Sequence, residues 1–492
     1  LIMSTLAFSQ AVTVKGYVTD SSNKKPLVGA NVYITGTGMG TSTSDEGRYN
    51  IANVSPGTYT LKASYIGYES EEMEITVKAG EELEQDFELE YVTIEGKAIE
   101  VTAQARGQMD AINKQLKAKS IKNIISSDRI QELPDANAAE AVARVPGVSI
   151  RREGGEGNKV VIRGLSPKYN KITVNGTNLA STDADDRSTD LSMISQYMLE
   201  GIEVTKAGTP DQEADVLGGT VNFKLKKAPS GLHGNLVTQG MYNSLKKTQD
   251  DYKFVFDISN RFFGDRLGLL GQIDLENRNR SSHNLAANYV NTPADLDTIN
   301  PLTLETLTLT DVARQNNRNN NLFVIDYNIP NGNISYSGLH STIDKDITTY
   351  ANVYPLQTPD GQRNFDTGEL LNRIKVTSET WKYEQQLSPD LKLDLFKSFS
   401  RSTNGDTNKV YNFRETAAYT MNVGNKSVDN IQEFTINDTN ATWFERYDYN
   451  EYSTSEKEHA FGGNVEFDLK INNQISGKVK FGFKNRDKTR EH

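Results

Sequence analysis

Three stretches carry residue types that could do chemistry. Gly154 to Lys159 reads Gly-Gly-Glu-Gly-Asn-Lys, a glycine-rich run that could cradle a phosphate. It lacks the GxxxxGK[ST] spacing and does not join a strand to a helix, so it reads as a turn between strands. Asp183 to Asp190 gathers four carboxylates, at 183, 185, 186 and 190. A calcium loop there needs Asp or Asn at 187 and Gly at 188. Arg187 and Ser188 break that pattern and leave a solvated or salt-bridged loop. Trp443, Phe444, Tyr447, Tyr449 and Tyr452 stand close together with Arg446 and Asp448 among them. Aromatic faces beside polar groups suit capture of a sugar or siderophore, and equally a girdle at a membrane interface or packing between loops.

The other reactive types are scattered. His233, His283, His340, His459 and His492 have no metal-ligand spacing. No Ser/His/Asp arrangement rises above chance. The absence of cysteine excludes disulfides, thiolate metal sites and cysteine nucleophiles. The expectation is therefore binding rather than bond chemistry: not an enzyme, with no cofactor and no metal.

The elements that must position these residues are mainly β. The chain has 492 residues and a net charge of -11, which argues against a general nucleic-acid binder. Mean hydropathy is -0.59 and no run of 18 apolar residues exists, so there is no transmembrane helix. Barrel strands score as hydrophilic on average, because only half of their residues face lipid.

Leu1 to Ser9 reads as the tail of a signal peptide, with Ala7 and Ser9 before a cleavage point near Gln10. Residues 10–92 alternate in short strands around Val12–Val18, Ala30–Ile34, Tyr49–Ile51 and Tyr59–Ala63. Turns at Asn23–Pro26, Asp45–Gly47 and Ser55–Gly57 separate them, as in a small β-sandwich. Residues 93–110 form a linker holding the extended run Ile99, Glu100, Val101, Thr102 and Ala103. Residues 111–230 read as mixed α/β, with helices over 114–125 and 136–144 and strands over 160–163, 171–174, 202–205 and 220–224.

From 231 to 492 nine strands follow, at about 234–244, 252–263, 266–278, 318–328, 333–345, 374–387, 391–402, 459–470 and 475–487. Their connections alternate between tight turns (263–265, 329–332, 388–390, 472–474) and long polar loops. Outer-membrane barrels have short periplasmic turns and longer outer loops. The first strand then runs outward from the periplasm.

Three sets of residues carry resemblances. Pro26 to Thr37, Asp45 to Tyr49, Pro56 to Leu61 and Tyr65 to Tyr68 resemble the carboxypeptidase-regulatory-like domain, an Ig-like or transthyretin-like sandwich without catalytic residues. Leu133 to Val148, Val161 to Leu165, Ile172 to Gly176 and Ile202 to Lys206, followed by Ala214 to Asn222, resemble the plug domain of TonB-dependent outer-membrane receptors. The sandwich–plug–barrel order resembles receptors common in Bacteroidetes-type bacteria.

That resemblance implies an antiparallel transmembrane barrel of about 22 strands closed by the plug. It implies a scarce nutrient, an oligosaccharide or siderophore or similar, bound at the cell surface and imported with energy delivered through TonB. Ile99 to Ala103 lies where the TonB box should be, an extended peptide able to add a strand to a partner sheet. Arg163, Gly164, Asn175, Gly176, Gly218 and Gly219 become structural plug positions, with Arg163 able to pair with a wall carboxylate. The implied partners are TonB, outer-membrane lipid, the ligand and a surface lipoprotein that captures substrate. The implied location is the outer membrane, with sandwich and plug on the periplasmic or luminal side.

A ligand sensor without import, and a structural or adhesion protein, are the alternatives. A closed single-chain barrel of this kind needs an even strand count. The expectation is that the 492 residues are a fragment, cut in the signal peptide and again in mid-barrel, with about 13 strands to come.

Overall fold

The computed structural model describes residues 12–91, 111–112, 115, 121–132, 137–208, 213, 216–291, 302–356, 361–388, 390–416, 442–470 and 476–492. Residues 1–9, the run Ile99–Ala103 and the turn 472–474 lie outside these. Most described residues are strand. They fall into two compact units: 1–135 with 199–224 and 388–390, and 136–198 with 225–387 and 391–492.

In the first unit, β1 (Val12–Asp20), β2 (Asn31–Ile34), β3 (Gly40–Ser42), β4 (Arg48–Val54), β5 (Gly57–Ser64), β6 (Glu71–Val77), β7 (Leu83–Glu84) and β8 (Phe87–Leu89) form two sheets. One has the order β4-β1-β7, with β8 also on β1. The other has the order β3-β2-β5-β6. Alternation with period two sends Val14, Val18, Val32, Ile34, Tyr49, Leu61 and Phe87 into one shared core. The turn at Asp45–Gly47 closes on Gly47 at φ 76°, a conformation glycine adopts without strain. Asp20 ties the far end of β1 to Ser22 at 2.6 Å and Tyr68 at 2.7 Å. Burial alone would raise its carboxyl, but those hydrogen bonds hold it below the ordinary value.

This unit also holds β9 (Lys122–Ser126), helix α1 (Ser127–Gln131), β14 (Leu199–Thr205) and β15 (Gly219–Leu225) up to Lys224. β9 pairs antiparallel with β14. The expected helix over 114–125 is thus corrected at its end, because Lys122–Ser126 is a strand. Ile124 and Ile125 are β-branched, and a paired edge outweighs the weak helical propensity around them.

In the second unit, α2 (Ala138–Val142) precedes the hairpin β10 (Val148–Glu153) and β11 (Glu156–Ile162). β12 (Asn170–Val174) and β13 (Thr177–Asn178) follow. The helix confirms the expectation over 136–144. Its N-cap Asn137 accepts from Ala139 and Glu140 and donates to Gly157 O at 3.1 Å, so the cap also fixes the hairpin.

The rest of the unit is one antiparallel sheet: β16 (His233–Asn243), β17 (Thr248–Phe262), β18 (Leu267–Asn279), β19 (Ser282–Asn291), β20 (Leu302–Ile329), β21 (Gly332–Pro355), β22 (Arg363–Ser388), β23 (Leu391–Glu415), β24 (Thr442–Lys470) and β25 (Ser476–Glu491). That is ten strands where nine were expected. β19 pairs with β20 in the register of β18, Asn279 facing Gln315 and Ser282 facing Val312. It is the continuation of β18 beyond a break at Arg280–Ser281.

The sheet is inside out for a water-soluble protein. On β17, Asp257 is 8% exposed while the adjacent Phe256 is 40% exposed. The same inversion sets buried Asp274 and Glu276 against exposed Ile273, and buried Arg318 and Asp326 against exposed Phe323 and Tyr327. Such a surface is stable against lipid and costly in water. No described helix is long and apolar enough to cross a membrane.

Much of what read as long loops is strand. Residues 302–317, 346–355, 363–373, 403–415 and 442–458 all lie in the sheet. Alternation appears only where the two faces meet different media. Over most of these spans polar residues occupy both faces and mask the period-two signal, although Leu302, Leu304, Leu307 and Leu309 of β20 alternate with polar residues and Leu304 and Leu307 pack with Tyr354 and Leu356.

Candidate plug–wall site

The β10–β11 hairpin delivers one carboxylate to the inner wall. Gly154 (φ 57°) and Gly155 (φ 79°) make the turn, so Gly154–Lys159 is the strand turn read from its spacing. A Cβ at Gly154 would sit 1.8 Å from the Arg314 guanidinium and force that side chain aside, and the left-handed φ of 57° itself favours glycine. Glu140 braces the hairpin from α2, accepting from Arg152 at 2.6 and 2.7 Å and from Gly157 N at 2.9 Å.

Glu156, 3% exposed, receives Arg280 at 2.6 and 2.9 Å, Asn316 at 3.1 Å and the guanidinium of Arg318. Burial by itself would raise its carboxyl. The two guanidiniums outweigh that, Arg318 ahead of Arg280, and bring it down to about 2. Arg318 extends the network to Glu276 at 2.8 Å and to Ser192 O at 3.0 Å. Glu276 also binds Lys253 at 2.9 Å. Lys253 lies 5.1 Å from the Tyr197 ring, and Ser195 donates to Asp274. Lys345 reaches Asp190 at 3.2 Å and Glu153 at 3.3 Å.

A second set of contacts joins the segment 175–186 to the wall. Asn175 accepts from Leu225 N at 3.1 Å, donates to Ser337 at 3.3 Å and receives Lys382 on its carbonyl. Thr177 meets Thr380 at 2.9 Å, Asn178 donates to Glu458 at 2.9 Å and Ala180 N to Ser400 at 2.8 Å. Ser181 N donates to Glu456 at 2.8 Å and its carbonyl accepts from Ser402. Arg490 donates to Asp186 O at 2.8 Å and Ala184 O at 2.6 Å.

The acidic loop is a folded turn. Asp183 accepts from Asp185 N at 2.9 Å and Asp186 N at 3.0 Å and pairs with Lys159. Burial would raise its carboxyl, but the Lys159 contact and these amides hold it low. No group of three or more metal-ligand side chains occurs among the described residues.

The motif residues fall at turns. Arg163 (φ 55°) and Gly164 (φ 74°) follow β11, and Arg163 is exposed with no ion pair among the described residues. Asn175 (φ 49°) and Gly176 (φ 82°) form the β12–β13 turn. Gly218 and Gly219 have no positive φ, and Gly219 opens β15.

The five aromatics are on strand β24 rather than in a loop. A register shift at Asn412–Phe413 leaves Glu445 unpaired. Phe444, Tyr447 and Tyr449 consequently share the outward face with Phe461 and Phe467, and Tyr411 stacks on Tyr447 at 4.9 Å. Trp443 and Tyr452 share the inward face with Glu456 and Glu458. Tyr452 borders a recess lined by Ala184, Asp185 and Thr454.

The Glu156 clamp was not singled out from sequence. The wall's half was visible, since Lys253, Asp257, Asp274, Glu276 and Arg318 occupy the polar face of their strands. Nothing in a linear pattern pairs them with a glutamate 97 to 162 residues away.

Residues 114–220 match the family described as TonB-dependent Receptor Plug Domain, and residues 14–101 match the CarboxypepD_reg-like domain. The chain carries a TonB-dependent receptor plug domain preceded by a CarboxypepD_reg-like domain. Among curated relatives, TonB-dependent receptor SusC of Bacteroides thetaiotaomicron is 26% identical over 282 residues, 54% of this chain and 26% of that protein. TonB-dependent receptor P39 of Formosa agariphila is 30% identical over 146 residues, 29% of this chain and 13% of that protein. The matched stretches thus span about a quarter or less of these receptors' own length. The ferric preacinetobactin receptor of Acinetobacter baumannii overlaps 75% of this chain and 58% of its own at 13% identity, with a TM-score of 0.35 that is too low to carry weight.

Proposed function

We propose that this receptor binds a scarce nutrient, an oligosaccharide or siderophore or similar, at the cell surface and imports it through the outer membrane with energy delivered by TonB. The observation that carries this reading is the plug–wall site. The segment inside the sheet is held by charge-paired and hydrogen-bonded contacts centred on Glu156, not by an apolar core. A polar contact can trade its partner for water when it is pulled apart, whereas separating a greasy core exposes apolar surface. A segment that must be displaced and then reseated favours the first kind.

In this reading ligand arrives at the inward face near Tyr452 and Trp443, above the Asp183–Asp186 turn. Ile99–Ala103 is the box that pairs as an added strand with TonB. Residues 10–92 act as a periplasmic spacer or docking module, and a surface lipoprotein presents the substrate. A relative of Vibrio vulnificus, 27% identical over 105 residues, is a vitamin B12 transporter, which leaves the substrate class wider than sugars.

Accumulation of labelled nutrient in cells tests the proposal. Val101→Pro removes a backbone donor from the box and should abolish accumulation while surface binding persists. Accumulation that survives both Val101→Pro and loss of TonB would sink it. Binding that triggers a transcriptional response without accumulation would favour a sensor.

A further inference from the structure

Arg401 on β23 and Lys457 on β24 are direct cross-strand partners. Their flanking residues all point inward: Ser400 to Ala180, Ser402 to Ser181, Glu456 to Ser181 and Glu458 to Asn178. Successive side chains on a strand alternate faces, so Arg401 and Lys457 point outward. Two like charges directly opposite each other destabilise a sheet. Among the described residues neither forms an ion pair or side-chain hydrogen bond. Lys397, in register with Phe461, is a further outward cation four residues back along β23. His459, in register with Phe399, lies beside them, with Asp487 across from it on β25.

The position of this pair along the strands is specific. On the outward face below it lie Leu391, Leu393 and Leu395 of β23, and Phe461, Val465, Phe467 and Leu469 of β24. Arg401 is about ten residues from the start of β23; at ~3.4 Å per residue and a tilt of about 45°, that rises ~24 Å, close to the ~25 Å apolar band of such barrels. The unpaired cations therefore stand where hydrocarbon gives way to headgroups, at the edge of the apolar band remote from the Ser388–Leu391 connection, with β23 continuing beyond them to Glu415.

We infer that Arg401 and Lys457 form a binding site for the phosphate of an anionic lipid headgroup in the outer leaflet. An outward guanidinium and ammonium side by side supply charge and several donors for a phosphate, while the apolar residues below receive the acyl chains. This rests on the reading of the sheet as an outer-membrane barrel wall with the 389–390 turn on the periplasmic side.

The test uses the full receptor in vesicles of phosphatidylcholine, with and without added phosphatidic acid, and native mass spectrometry of the lipid retained on release. The unaltered protein should retain phosphatidic acid over phosphatidylcholine by about tenfold, and Arg401→Gln with Lys457→Gln should remove that preference. The exchange Arg401→Lys with Lys457→Arg keeps both charges and should preserve it. Equal retention of the two lipids, a preference that survives the double Gln variant, or full competition by inorganic phosphate in solution would each overturn the site. Failure of the unaltered protein to insert into either vesicle would overturn the barrel reading together with it.

Discussion

Glu156 is the residue on which the plug–wall contact turns. Its carboxyl sits near 2 in the folded protein against an ordinary 4.5. A depressed carboxylate contributes stability that is fully present above its unfolded value and is lost as pH falls through its folded one. The contact should thus be steady above about pH 5 and weaken between about 4.5 and 2. Hydrogen exchange at Gly155 and Gly157 measures this as faster exchange on acidification, and Glu156→Gln should flatten that step. Glu156→Ala leaves Arg280 without its acceptor and strips one partner from buried Arg318, a loss of about 3–5 kcal/mol for a buried pair. The expected readout is earlier thermal release of the plug. An unchanged melting profile would show that Glu276 alone satisfies Arg318.

At the scale of the element, faces decide function. Phe256 lies near the middle of β17's outward face between inward Val255 and Asp257. Phe256→Lys should cost about 2–4 kcal/mol of stability in lipid, as a cation near the bilayer midplane does, read from urea titration in vesicles. Alternation divides the aromatics of β24 in the same way, and the bulge at Glu445 adds Phe444 to the outward set and Trp443 to the inward one. Tyr452→Ala should weaken nutrient binding, whereas Tyr447→Ala should leave it unchanged, because Tyr447 stacks outward on Tyr411. Equal effects of the two would mean that ligand does not select the inward face. The alternation of β17, β18 and β25 was legible in the sequence because lipid and a polar lumen enforce period two. β19 and the upper halves of β21 to β24 were not, because polar residues on both faces leave little pattern, and the alternating leucines at 302–309 of β20 were passed over.

At the scale of the whole molecule the sandwich keeps its own core, closed among residues between Val12 and Leu89. Phe87→Ala, at a fully buried position, should cost that sandwich about 3–5 kcal/mol. Two transitions should then appear in calorimetry, with the sandwich moving to lower temperature and the barrel unmoved. A shift of both would show that the two melt as one cooperative body.

The sequence by itself carried the resemblance to the regulatory-like and plug domains and the expectation of a strand-rich sheet after them. Turn residues, strand alternation and the plug strings are local, so they survive in a linear reading. It singled out Arg163–Gly164 and Asn175–Gly176 as structural plug positions, while their left-handed φ values at sharp turns came from the structure. Only the tertiary structure decided that Glu156 meets Arg280 and Arg318. It alone showed that β18 resumes as β19, and that one unpaired residue, Glu445, puts Phe444 on the face of Tyr447 and Trp443 on that of Tyr452. Each of these depends on register between strands far apart in the chain. Register is set by pairing and by which medium each face meets, and neither is written at a single position.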